Sequence, residues 1–374
     1  MLEVALSHRF AGFALDVDFT APPGITALFG RSGSGKTSII NAVAGLLRPD
    51  AGRITADGRV LFDSAQGAFL PPHRRRLGYI FQEARLFPHL TVRRNLAYGA
   101  WFAPRHALRE PRDRVIEMLG IGHLLDRRPA ALSGGERQRV AIGRAVLSAP
   151  RLILADEPLA SLDAARKAEI LPYFERLRDE LSVPMLYVSH SAAEVARLAT
   201  TVIAIEAGRV SAQGQAADLF SDPAILPLGA REAGAILTAR VARHHADGLT
   251  ELDAGGHPLF LPRIAAAPGR AMRIRVAAHE VILSRHRPEG LSALNILPGR
   301  VLTVAEGQGP GAMVTLETPA GRLLARLTKR SAALLELRAG VAAHAIIKTV
   351  SVAPGDIGAG GDTSEAARAD QMPR

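Results

Sequence analysis

Gly30-Arg31-Ser32-Gly33-Ser34-Gly35-Lys36-Thr37 is the stretch on which the reading of this 374-residue chain turns. It fits G-x-x-x-x-G-K-[ST], and its surroundings fit as well. Ile25-Thr26-Ala27-Leu28-Phe29 before it is an apolar run of strand length, and Ser38 to Leu47 after it is largely apolar and free of proline. A glycine-rich turn between a buried strand and a helix lets successive backbone N–H groups wrap an anion at the positive end of the helix. Gly30 to Thr37, with Ser38 at the helix start, is therefore expected to bind the phosphates of a nucleotide. Lys36 would reach the β- and γ-phosphates, and the Thr37 hydroxyl would ligate Mg²⁺.

A phosphate loop alone does not say what the nucleotide is for. Arg151-Leu152-Ile153-Leu154-Ala155-Asp156-Glu157 is an apolar strand ending in two carboxylates. Asp156 at the strand tip suits the holding of Mg²⁺, and Glu157 beside it is placed to polarise an attacking water as general base. Leu132-Ser133-Gly134-Gly135-Glu136 opens a third element. Apolar residues recur at helical spacing from Arg137 to Ala145, which puts Ser133 at the N-cap. With Gly134 and Gly135 allowing close backbone approach, this is a second anion-binding helix start. One nucleotide needs only one such cradle, so the second is expected to serve a nucleotide held by another copy of the chain.

These motifs, with three more in order, resemble the ATP-binding cassette family. Leu132 to Glu136 matches its signature motif and Gln82 in Tyr79-Ile80-Phe81-Gln82-Glu83 its Q-loop. Ser161-Leu162-Asp163 matches the D-loop, and His190 in Tyr187-Val188-Ser189-His190 the switch histidine. The resemblance implies a head-to-tail homodimer with two ATP molecules, each clamped between Gly30–Thr37 of one subunit and Ser133–Gly135 of the other. It implies that Gln82 senses Mg²⁺ and a transmembrane permease, that Asp163 links the two sites, and that His190 contacts the γ-phosphate. An aromatic ring stacks on adenine in this family; Phe10 and Phe13 are both candidates. The stretch Arg85 to Val92 corresponds to the groove that receives the permease, and its Phe87 and Leu90 read equally well as packing of a helical subdomain.

Composition bounds the remaining classes. Hydrophobic residues make up 48% and charged residues 22%, as in ordinary globular chains. With no cysteine, disulfides, thiolate metal sites and thiol nucleophiles are excluded. No run reaches the length of a membrane-spanning helix, and Met1 to Gly12 lacks the pattern of a signal peptide, so a cytoplasmic location is expected. A net charge of +10 favours anionic surfaces, yet only 5% of residues are aromatic, which offers no obvious platform for nucleic-acid bases. No nucleic-acid partner is expected.

After Arg209 the nucleotide motifs stop. Ser221-Asp222-Pro223 and Leu226-Pro227-Leu228-Gly229 are turn-rich and predict a boundary. Beyond it, short runs such as Met313–Leu316, Leu323–Leu327 and Ala345–Lys348 alternate with Gly and Pro turns, which predicts a small all-β barrel. Ile236-Leu237-Thr238-Ala239-Arg240-Val241 recurs as Ile296-Leu297-Pro298-Gly299-Arg300-Val301, each followed by a late strand, Arg275-Val276 or Ile347-Lys348. A duplication is the expectation.

The second copy resembles the molybdate-binding Mop domain, through Leu291-Ser292-Ala293-Leu294-Asn295, Leu327-Thr328-Lys329-Arg330-Ser331-Ala332 and Ala345-Ile346-Ile347-Lys348-Thr349. A small tetrahedral dianion needs hydroxyl donors and a cation, which Ser292, Thr328, Ser331 and Lys348 supply. The family commonly carries Arg where this chain has Leu294, so a charge-assisted donor is missing.

The expected fold is thus an α/β P-loop NTPase, a cassette core with a helical subdomain, followed by a small all-β OB-like barrel. The expected divisions are 1–228 for the nucleotide-binding domain, 229–290 for a linker and first β half, 291–354 for the Mop-like barrel, and 355–374 for an unstructured tail. Together the halves resemble the ATPase subunit of bacterial molybdate importers. That resemblance implies ATP and Mg²⁺ as cofactors, a permease, indirectly a periplasmic molybdate-binding protein, molybdate in the C-terminal domain, and a peripheral place on the cytoplasmic face of the inner membrane. Tungstate, sulfate or another small solute is the alternative cargo.

Overall fold

A computed structural model describes the chain except for residues 104–109, 182, 222–232, 308 and 361–374. It divides into two compact units, Met1–Ala216 and Ala217–Arg374. The boundary expected at 228/229 lies outside the described residues.

The first unit is built on an eleven-stranded sheet. The strands β1 (Leu2–Phe10), β2 (Phe13–Ala21), β3 (Ile25–Phe29), β4 (Ala51–Ala56), β5 (Arg59–Asp63) and β6 (Ala68–Phe69) come first. They are followed by β7 (Leu77–Ile80), β8 (Leu152–Asp156), β9 (Met185–Ser189), β10 (Thr201–Glu206) and β11 (Arg209–Gln215). Their order across the sheet is β6-β5-β4-β1-β2-β11-β10-β3-β9-β8-β7. The last five, from β10 to β7, are parallel. Every residue of β3 and β9 is buried, as parallel strands covered on both faces must be. β2 instead alternates buried and exposed, the signature of a sheet with one wet face.

The helices are α1 (Lys36–Ala44), α2 (Val92–Phe102), α3 (Arg112–Met118), α4 (Gly134–Leu147), α5 (Ala164–Glu180), α6 (Ala192–Leu198) and α7 (Ala216–Phe220). α1 stops at Ala44, short of Leu47, because Gly45 takes a left-handed φ of 79°. Its N–H and that of Leu46 return to the carbonyls of Ala42 and Asn41. Helices α2 to α5 pack into one core with Leu96, Leu119, Ile142 and Phe174, and this core continues onto Ile153 and Tyr187 of the parallel strands.

The second unit holds two five-stranded antiparallel sheets around a shared apolar core. Its elements are β12 (Gly234–His244), β13 (Leu249–Asp253), β14 (Pro258–Pro262), β15 (Ala271–Ala277) and β16 (Ile282–Ser284). After them come β17 (Asn295–Glu306), β18 (Gly311–Thr318), β19 (Gly321–Thr328), helix α8 (Lys329–Leu334), β20 (Ala342–Ile347) and β21 (Ile357–Ala359). The orders are β14-β13-β12-β15-β21 and β19-β18-β17-β20-β16, strand for strand the same arrangement. The internal repeat is therefore structural. Leu237 pairs with Ile274 and Leu297 with Ala345. The register of β12 shifts between Val241 and Arg243, and that of β17 between Val301 and Thr303, at the corresponding place. A bulge at this point bends each long strand so that one sheet curls over the core.

One sequence division is bridged by exchanged strands, and one needs correction. The cut at 290/291 does not separate the sheets, because β16 leaves the first half to pair with β20 of the second. In exchange β21 pairs with β15 of the first half. The tail expected to be unstructured from 355 contains β21, held by Ile274↔Ile357 pairing and the burial of Ile357. The remainder, 361–374, lies outside the described residues.

Candidate active site

Four parallel strands end at one edge of the first sheet, and each delivers a predicted residue there. The register aligns Phe29 with Ser189, Val188 with Asp156, and Ala155 with Ile80. The chain beyond those ends therefore presents the Gly30 loop, His190, Glu157 and Gln82 side by side. The carboxyl edge of a parallel sheet is where open α/β folds bind ligands.

The loop is tightly built. A Cβ on Gly30 would collide with the carbonyl oxygen of Ile205, so only glycine lets the loop leave β3 there. Gly35 has φ 102° and is the N-cap of α1. A nucleotide-sized cleft of about 340 Å³ opens above the loop, lined by Phe10, Phe13, Ser32, Gly33, Gly35, Lys36, Thr37, Ser38 and Glu157. Ser34 is buried, and Arg31 opens into the loop as the carbonyl acceptor for Lys36. Lys36 Nζ donates to the carbonyls of Gly30 at 2.9 Å and Arg31 at 2.7 Å. Burial lowers its pKa, while Glu157 and Asp156 pull the other way. A buried ammonium held only by carbonyls beside an anion-binding helix start suits the β- and γ-phosphates of ATP.

Thr37 Oγ1 donates to Asp156 Oδ1 at 3.2 Å. Burial raises the Asp156 pKa, the Glu157 charge adds to the rise, and the Thr37 hydrogen bond opposes it. A hydroxyl beside a carboxylate that is uncomfortable as an unpaired anion is a donor set suited to a hard divalent cation. Glu157 follows in a left-handed conformation, φ 43°, uncommon for a residue with a side chain. Its Oε2 lies 3.3 Å from Nδ1 of the half-exposed His190.

The other predicted residues are placed as follows. Gln82 is exposed two residues beyond β7, at the same edge but outside the cleft lining. Ser133 caps α4: its hydroxyl accepts from the Glu136 N–H, and the Glu136 carboxylate accepts from the Ser133 N–H at 2.7 Å. Neither Ser133, Gly134 nor Gly135 lines the cleft of its own chain. Asp163 caps α5, accepting from the Arg166 N–H at 2.9 Å. Phe10 and Phe13 both reach the cleft, 6.1 Å apart. They differ in support, since the Phe13 ring tip lies within 3.0 Å of where Cβ atoms on Gly35 and Gly208 would be, whereas Phe10 is 39% exposed. Phe87 is partly buried, 4.3 Å from the Tyr98 ring, with its backbone N–H and carbonyl bonded to the buried Asn95 side chain.

Motif spacing missed Tyr79 and Asn41. The Tyr79 hydroxyl sits 3.2 Å from Asn41 Oδ1 and 3.4 Å from Asp156 Oδ2, so it braces the carboxylate against α1. Burial, then Asp156, raises its pKa and keeps it a donor.

In the second unit the four predicted oxyanion residues do not meet. Asn295↔Ile347 pairing sets Ser292 and Lys348 at the start of β17. Glu306↔Ala312 and Gly311↔Thr328 set Thr328 and Ser331 at its far end. There Thr328 caps α8, 2.8 Å from the Ser331 hydroxyl. A groove of about 1080 Å³ in this unit includes Thr328 with Arg322 and Arg326 but none of the other three. Asn295, fully buried, exchanges hydrogen bonds with the Phe260 backbone at 2.6 and 2.9 Å, tying the repeats together.

The strand-edge loop, the paired carboxylates and the histidine define an ATP-binding cassette ATPase. The ABC transporter family model matches residues 15–160, and the TOBE domain model matches 291–354. Over 355 residues the chain is 52% identical to the molybdenum import ATP-binding protein ModC of Rhizobium meliloti (strain 1021), covering 94% of this chain and 99% of that protein. Its identity to the protein of the same description from Paramagnetospirillum magneticum (strain ATCC 700264 / AMB-1) is 49% over 359 residues, 96% of this chain and 99% of the relative. Among solved structures it is similar to cbiO1 from Clostridium perfringens, part of the ABC transporter complex cbiONQ, with 26% identity and a TM-score of 0.50 over 59% of this chain and 90% of that one. The chain belongs to the ABC transporter ATP-binding proteins, and within them to the molybdenum import ATP-binding protein (ModC) family.

Proposed function

We propose that this chain is the ATP-hydrolysing subunit of a molybdate importer. The observation that carries the ATPase is the gathering of Thr37, Asp156, Glu157 and His190 around the Lys36 loop at one sheet edge. The cargo follows from near end-to-end likeness to molybdenum import proteins.

The loop N–H groups and Lys36 bind the β- and γ-phosphates. Thr37 and Asp156 would hold Mg²⁺, which would supply positive charge to offset that of the phosphates. Glu157 accepts a proton from the attacking water, and His190 holds Glu157 and faces the γ-phosphate. The cradle of Ser133, Gly134 and Gly135 serves the nucleotide of a second copy in a head-to-tail homodimer. The exclusion of these residues from their own chain's cleft supports that arrangement. The dimer docks on transmembrane permease subunits through the Phe87–Leu90 segment at the cytoplasmic face of the inner membrane, and a periplasmic protein delivers molybdate. No helix among the described residues is long and apolar enough to cross a membrane, in keeping with a peripheral subunit.

The test is uptake of labelled molybdate by cells lacking their own import ATPase and supplied with this chain and its permease. Restored molybdate uptake that unlabelled tungstate or sulfate fails to outcompete supports the reading. Uptake of sulfate alone overturns the cargo and leaves the ATPase.

A further inference from the structure

His190 stands in a one-residue gap between Ser189, which ends β9, and Ser191, which caps α6. The sequence Ser191-x-x-Glu194 fits a capping box, in which Glu194 would return to the Ser191 N–H. Only half of that box forms. The Ser191 hydroxyl accepts from the Glu194 N–H at 3.3 Å, but the Ser191 N–H donates to Ser189 Oγ at 3.0 Å. This frees the Glu194 carboxylate to turn inward, where it is only 5% exposed.

A carboxylate buried this deeply needs a full set of donors. Its Oε2 accepts from Ser189 Oγ at 2.9 Å and from the Tyr187 hydroxyl at 3.1 Å. Its Oε1 accepts from Lys167 Nζ at 2.9 Å. Lys167 lies in the first turn of α5, and its N–H donates to the carbonyl of Asp163 at 2.9 Å. The result is one continuous chain of bonds from Asp163 through Lys167, Glu194 and Ser189 to Ser191. It closes around the residue that touches Glu157. Satisfied buried networks of this kind hold a single geometry.

We propose that Glu194 is a positioning residue for His190, fixing the imidazole against Glu157 and joining its loop mechanically to the helix that starts at Asp163. The inference rests on the ATP-hydrolysing reading and names a residue that no motif assigns. It predicts that a shift of α5 reaches His190 through Lys167 and Glu194.

The test uses the purified full chain with Mg·ATP, comparing Glu194→Gln and Ser189→Ala in the wild-type and His190→Ala backgrounds, with residual rates read under enzyme excess. Ser189→Ala leaves Tyr187 and Lys167 on the carboxylate, so it reports even where Glu194→Gln fails to fold. In the wild-type background each change is expected to lower kcat about tenfold with KM within about twofold. In the His190→Ala background neither should lower the rate further, because the group being positioned is gone. Losses that multiply with that of His190→Ala, or an unchanged kcat, would overturn the proposal. A wild-type chain that does not hydrolyse ATP overturns the reading beneath it, and that outcome is read before any variant is made.

Discussion

Nδ1 of His190 lies 3.3 Å from Oε2 of Glu157, the two side chains projecting from the ends of neighbouring parallel strands. The strained φ of Glu157 aims its carboxylate toward the histidine, above the loop that binds phosphate. Glu157→Gln keeps the shape and removes the base. The expected outcome is a fall in kcat of about 10²–10⁴, with ATP binding retained and the closed dimer trapped. Turnover assays and size-exclusion chromatography with ATP check both halves, and near-normal turnover would remove Glu157 from the role.

Asp156 gives a prediction about pH. Its pKa in the fold is raised by burial and then by Glu157, so the ionised form is disfavoured when no cation is bound. A raised pKa contributes stability below the unfolded value of about 3.8, and that contribution is lost as pH rises through the folded value. Metal-free Asp156→Asn should therefore melt at a higher temperature than wild type at pH 7, the gap narrowing as pH falls toward 4. Mg·ATP should reverse the order, because only the carboxylate gains from the cation. Melting curves in EDTA and in Mg·ATP decide this; a variant less stable than wild type in EDTA at pH 7 would contradict it.

Phe10 and Phe13 are separated by what supports them. Phe13 packs against Gly35 and Gly208, and Phe10 is the exposed ring at the cleft. Phe10→Ala should weaken ATP binding by about 1–3 kcal/mol, the value of a base–aromatic stack, with little change in melting temperature. Phe13→Ala should act mainly on stability. Calorimetric ATP titration beside thermal melts separates the two, and the reverse pattern would make Phe13 the stacking ring.

Arg75 shows where reading from sequence stops. Nothing in His73-Arg74-Arg75-Arg76 marks one arginine of the run, yet Arg75 is 2% exposed while its neighbour Arg74 lies at the surface. Its guanidinium donates to the carbonyls of Ala42 and Val43 at 2.8 Å, meeting the negative end of α1, and burial pushes its pKa down to about 10, still charged at neutral pH. Arg75→Met removes the charged donor from those two carbonyls and from that of Leu70, and should cost about 3 kcal/mol, read from urea unfolding.

The contrast is general to this chain. Gly30–Thr37, Asp156, Ser133 and the repeat of Ile236–Val241 at Ile296–Val301 were legible because backbone geometry and period dictate residue type at fixed spacing. Tyr79 and Glu194 were not, because each acts through a side chain that meets a partner from a distant element. Glu194 even carries a local pattern that points to a cap, and only the competing bond from Ser191 to Ser189 turns it inward. The exchange of β16 and β21 was equally hidden, since two short strands of three residues carry no period.

The oxyanion residues give the last prediction. Ser292 and Lys348 stand at one end of β17 and Thr328 and Ser331 at the other, so no single chain can close all four on one small anion. A site using the full set needs two copies, pairing the Ser292 end of one with the Thr328 end of the next. Molybdate binding should then strengthen with protein concentration, and Lys348→Ala and Thr328→Ala should each abolish it. Leu294 is 52% exposed beside Ser292, so Leu294→Arg adds a charge-assisted donor without disturbing packing. Such a bond is worth about 1.5–3 kcal/mol, roughly a ten- to hundredfold gain in affinity. Calorimetry with molybdate, tungstate and sulfate at several chain concentrations measures this directly. Binding that is independent of concentration and survives Thr328→Ala would place the anion at the Ser292 end of one chain, and no gain from Leu294→Arg would place it elsewhere.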